Sequence, residues 1–187
     1  MSDLPQRLHG QLRPALALAL GLGAALPLAV LAQQATPAPA ATSSTPETPA
    51  YATGDPWIDD RLADIDRFAA HYPDAFVAEL ERYAGASPAY VRALRLQPRW
   101  TAGDVWFACF LARATGGDCR ELVRARSQAG AQAGWQQLAE GLDAGPGTQA
   151  YSDLRLALAD SYGRWARPLQ PDPALRRALR QRDASKP

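Results

Sequence analysis

Histidine is almost missing from this chain of 187 residues, and its scarcity excludes more chemistry than any motif suggests. There are two, and only His71 lies beyond the N-terminal leader. At a helix end beside Tyr72-Pro73, His71 reads as a surface residue that compensates the helix dipole. One histidine cannot build a Ser-His-Asp relay or a His-based metal set. Cysteine occurs twice, ten residues apart at Cys109 and Cys119, which is no zinc spacing. The acidic cluster Asp59, Asp60, Asp64 and Asp66 has neither the glycine nor the terminal Glu of a calcium loop. Nothing matches G-x-S-x-G, a P-loop or G-x-G-x-x-G, so no metal and no cofactor is expected. Lysine occurs once, at Lys186, beside many arginines, so arginine count alone carries no functional reading.

Long apolar runs are also missing, except at the N-terminus. Arg7 and Arg13 against Asp3 precede ALALALGLGAALPLAVLA from Ala15 to Ala32, a basic region followed by an apolar one. Small residues at Val30-Leu31-Ala32 and the polar Gln33-Gln34 behind them predict a signal peptide over 1–32, cleaved after Ala32. An uncleaved anchor is the alternative, but Gly21, Gly23 and Pro27 interrupt the run, and no cysteine ends it as in a lipoprotein. The expected destination is the periplasm or the exterior. Residues 33–54, rich in Ala, Thr and Pro with Glu47 as the one charge, read as a disordered linker. That leaves one helical domain over 55–167 and a basic, mostly disordered tail over 168–187.

Beyond the leader, 18 basic residues balance 18 acidic ones, but unevenly. Asp55 to Tyr83 carries a net of minus five, and Arg164 to Pro187 a net of plus five. Such polarity marks either an interaction surface or two faces that meet each other.

Helix signals repeat through the domain and strand signals do not. Asp55-Pro56 caps a helix with Ile58, Leu62, Ile65 and Phe68 on one stripe. Asp74 is a candidate cap for a second helix and Ser87-Pro88 for a third. Thr101 and Asp104 form a capping box ahead of VWFACFLA, apolar on every side and so buried. Asp118 starts the next helix, Trp135 to Leu142 forms another, and Thr148 caps a stripe of Tyr151, Leu154, Leu158, Tyr162 and Trp165. Asp172-Pro173 is a possible start for a short terminal helix through Leu175 and Leu179. The expectation is all-α: one small bundle of about six helices around a buried central helix at about 102–115.

The stretches WTAGDVWFACFLARATGGDCREL, GWQQLAEGLDAGPGTQAYSDLR and DSYGRWARP resemble a group of exported Gram-negative proteins of unknown function, over about 55–168. Relatives carry Gly after the tryptophan matched by Trp135, Leu-Gly where this chain has Leu142-Asp143, and often Phe-His near Tyr151. This chain departs at each point. The resemblance implies an exported location and a helical fold, and no activity.

Four constellations remain. Asp60 and Asp64, one helical turn apart, meet the carboxylate spacing of a glycan hydrolase only loosely, and their charged neighbours suggest a solvated face. Trp100 and Trp135 stand at helix starts beside loops, where exposed rings would suit a peptide or glycan. Trp135 to Asp143 has no basic residue, so a nucleic-acid partner is excluded. The tail offers Leu175, Ala178 and Leu179 beneath seven positive side chains, a candidate weak contact with anionic lipid. The expected function is non-catalytic binding of an envelope protein or glycan, with a glycan hydrolase and a lipid-held protein as alternatives.

In an exported chain the two cysteines are expected to pair as Cys109–Cys119. Bridging needs alpha carbons about 4.4 to 6.8 Å apart. Cys109 precedes the Gly116 turn by a turn and a half, so the following helix must cross steeply or fold back on the middle of its predecessor. Two buried, reduced thiols are the alternative.

Overall fold

Eight helices follow one another in the computed structural model, which describes residues 51–130 and 133–186. They are α1 (Pro56–His71), α2 (Pro73–Ala84), α3 (Pro88–Arg95), α4 (Ala102–Ala114), α5 (Cys119–Gln128), α6 (Trp135–Glu140), α7 (Gln149–Arg164) and α8 (Pro173–Ala184). The fold is all-α, with eight helices among the described residues rather than about six. The signal peptide expected at 1–32 and the linker at 33–50 lie outside the described residues.

Most starts follow local chemistry. The Asp55 carboxylate accepts from the N–H groups of Trp57 and Ile58, and Thr101 and Asp104 close a reciprocal capping box. Asp118 caps α5 and Asp172 caps α8 in the same manner. Two expected caps differ. Tyr72 is the N-cap of α2, because Pro73 takes the first helical position and moves Asp74 into the first turn. Thr148 is the N-cap of α7, yet its hydroxyl donates to the Gly145 carbonyl at 2.7 Å instead of accepting from the helix.

Helix α4 is the hub, touching α1, α2, α3, α5 and α7. Ala102, Gly103 and every residue from Val105 to Ala112 are buried, as an all-round apolar helix requires. Gly103 sets the closest approach to α1: a Cβ there would lie 2.5 Å from the Tyr51 hydroxyl oxygen and 2.8 Å from the Leu62 carbonyl oxygen.

Cys109 and Cys119 form a disulfide with alpha carbons 4.3 Å apart. The turn solves the offset. Gly116 takes φ +70°, and the Gly117 N–H returns to the Ala112 carbonyl at 2.7 Å, so α4 ends sharply and α5 folds back on its middle.

Both edges of the expected domain need correction. Residues 51–54 belong to the fold rather than to a disordered linker: Tyr51 and Thr53 are buried. The carbonyls of Tyr51 and Ala52 accept from the N–H groups of Trp135 and Gln136, meeting the donors at the start of α6. The tail is not mostly disordered either. Leu175 and Ala178 of α8 are buried, and α8 packs on α7. The described residues share one compact unit, and no helix among them is long and apolar enough to cross a membrane.

Candidate functional site

Trp100 and Trp135 do not form an exposed surface. They are 4% and 0% exposed, with ring centroids 6.3 Å apart. Trp135 also packs on Phe107 and donates its indole N–H to Asp104 at 2.8 Å. Folding of Tyr51–Thr53 over the start of α6 converts an expected loop edge into interior.

The carboxylate pair fails as an acid–base couple. Asp60 is exposed, outside any apolar pocket of the kind a general acid requires. Asp64 sits between Tyr162, whose hydroxyl donates at 2.5 Å, Arg167 at 2.8 Å and Arg67 at 3.0 Å. Burial alone would raise its pKa, but these donors and the Arg167 charge outweigh that and hold the carboxyl below its ordinary value. Such a group stays ionised and fully occupied by internal partners.

Internal partners also hold several other acids. Glu79, 3% exposed, accepts from Ser161 at 2.5 Å and from the Arg164 guanidinium at 2.9 Å, while Arg164 stacks over Tyr83 at 3.6 Å. Arg155 of α7 pairs with Asp55 at 2.5 Å and Asp172 at 3.2 Å, joining the caps of α1 and α8. Asp66 accepts from Tyr51 and from the Gly103 N–H. Asp59 accepts from the Thr53 hydroxyl at 2.6 Å. The acidic and basic segments therefore meet each other through Asp64–Arg167 and Glu79–Arg164. Among the described residues no cluster of three His, Cys, Asp or Glu is placed to hold a metal.

His71 is exposed, and its Nδ1 donates to the Arg67 carbonyl, 2.8 Å away. In α8, burial of Leu175 and Ala178 removes most of the apolar strip that lipid would need, leaving Arg176, Arg177 and Arg180 exposed.

One of the openings among the described residues is a groove of about 400 Å³ between α2 and α3. Buried Ala69, Phe76 and Val77 form its floor. Pro73 and Asp74 stand on the α2 side, and Arg92, Arg95 and Leu96 on the α3 side. Leu96 is 85% exposed, the most solvent-facing large apolar side chain described. It follows the inward pair Val91 and Leu94 but leaves their stripe, so the helix cap at Leu96 turns its side chain outward. Asp74 pairs with Arg92 at 3.3 Å, both well exposed. Arg95 pairs with no carboxylate among the described residues. From Arg82 to Gly103 the chain carries Arg82, Arg92, Arg95 and Arg99 and no acid. The sequence reading missed this site. An off-stripe leucine in an acid-free arginine segment was the signal available.

No protein-family model, curated protein or solved structure matches the chain.

Proposed function

We propose that this chain is an exported, disulfide-stabilised, non-catalytic binding module of the periplasm or cell envelope, and that the α2–α3 groove is its contact surface. One observation carries the reading: apolar surface and an arginine with no carboxylate partner among the described residues coincide at this groove, while Asp64, one of the two acids expected to do chemistry, is tied into the fold. A cleft of this size suits one or two side chains of a partner. The disulfide and the N-terminal sequence support an exported location, because such bonds persist outside the cytoplasm.

Replacing Leu96 with a photoreactive residue in the full chain, then irradiating envelope fractions, tests the reading. A discrete adduct at position 96, absent when the probe is at exposed Gln128, is expected. Incubation with cell-wall glycan should release nothing. Released fragments that vanish in Asp60→Asn or Asp64→Asn would establish the hydrolase instead.

A further inference from the structure

The groove also specifies what it would hold. We infer that its occupant is an acidic peptide segment with an apolar anchor, the anchor entering beside Leu96 and carboxylates meeting Arg92 and Arg95. This rests on the binding reading and adds the chemistry of the partner.

Shape and charge argue together. The floor under Phe76 and Val77 is apolar, and Leu96 at 85% exposure leaves an uncovered hydrophobic wall. A bare leucine beside an apolar floor is stabilised when a partner removes its apolar surface from water. The rim selects the sign of the partner. Of the charged groups that line the groove, Arg92 and Arg95 stand on the α3 side, so that side of the rim is positive. Asp74 is the one carboxylate lining the groove, and its pair with Arg92 has side chains 57% and 91% exposed. Exposed pairs of this kind contribute little to stability, so an incoming carboxylate can displace Asp74. A guanidinium binds a carboxylate through two parallel N–H donors, which gives Arg92 and Arg95 orientation as well as attraction. A basic or purely apolar segment would meet the same groove without that match.

The test is selection of a phage-displayed random dodecapeptide library on the oxidised full chain, followed by titration of the enriched peptides at two salt concentrations. Expected is enrichment of sequences with one or two large apolar residues flanked by Asp or Glu. Their affinity should fall at least tenfold in Arg92→Glu/Arg95→Glu and in Leu96→Glu, and severalfold between 0.05 and 0.5 M salt. Both variants lie on exposed or half-exposed positions, and unchanged melting confirms that each still folds. Enrichment of basic peptides, of apolar peptides without acids, or of peptides indifferent to these variants would overturn the inference, as would no enrichment. The two readings fail separately: an adduct at position 96 without acidic selection removes the partner chemistry alone, whereas no adduct there removes the contact surface itself.

Discussion

The arginines of α7 and those of α3 differ in what they face. Arg155, Arg164 and Arg167, on α7 and the turn behind it, each meet a carboxylate from a distant part of the chain: Asp55, Glu79 and Asp64. Arg92 has only the exposed Asp74, and Arg95 has no carboxylate among the described residues. The first set sits where partners are half-buried and water is scarce, so its pairs are strong and costly to break. The second set lies at the surface, Arg92 exposed and Arg95 half-buried, where charge contributes little to stability and stays available to a ligand. One residue type thus serves as internal fastening on one side and as a free surface on the other.

Several perturbations would break or sharpen this contrast. The largest loss is expected from Glu79→Ala, which strands Arg164 and the Ser161 hydroxyl beside the core and should cost about 3 kcal/mol in urea unfolding. Removing the disulfide by Cys109→Ser with Cys119→Ser should cost roughly 2 to 3 kcal/mol, measured in the same way against the oxidised chain. Truncation before Leu169 removes α8, the Arg155–Asp172 pair and the burial of Leu175. A loss of about 2 kcal/mol is expected, where a disordered tail would cost nothing.

Acid should act on the fastened side alone. The pKa of Asp64 is depressed in the fold, as is that of Asp172, where the Leu175 N–H and Arg155 outweigh burial. A depressed carboxylate contributes stability that is present above its unfolded pKa of about 4 and lost as pH falls through the folded value. Unfolding measured at pH 7 and pH 3 should show the wild type losing stability, and Asp64→Asn, less stable at pH 7, should lose less over that interval.

The smallest effects have the opposite sign. Asp143 and Ala166 occupy left-handed backbone, φ +53° each, at the ends of α6 and α7. Glycine adopts that conformation without a Cβ penalty, so Asp143→Gly or Ala166→Gly should raise the free energy of urea unfolding, by up to about 1 kcal/mol each.

Helices were legible in the sequence because caps and stripes are local. Asp55-Pro56, the Thr101–Asp104 box and the all-round apolar α4 depend on residues within a turn or two. The disulfide was legible as a pairing, while its geometry turned on one left-handed glycine, Gly116. What escaped was long-range. Trp135 is buried because Tyr51 and Ala52 return over the start of α6, some 80 residues from their origin in the chain, and no local pattern announces that contact. Arg155 holds α8 in place from α7 in the same hidden way. The groove depends on how α2 and α3 diverge, so only its components, Leu96 off its stripe and arginines without acids, could be seen beforehand.

Urea unfolding of Glu79→Ala beside Arg92→Glu/Arg95→Glu tests the contrast most directly, since it requires no ligand. A loss of about 3 kcal/mol in the first and less than about 0.5 kcal/mol in the second is predicted. A comparable loss in the α3 double variant would show that those arginines fasten the fold too, and would leave no free charge at the groove for a partner.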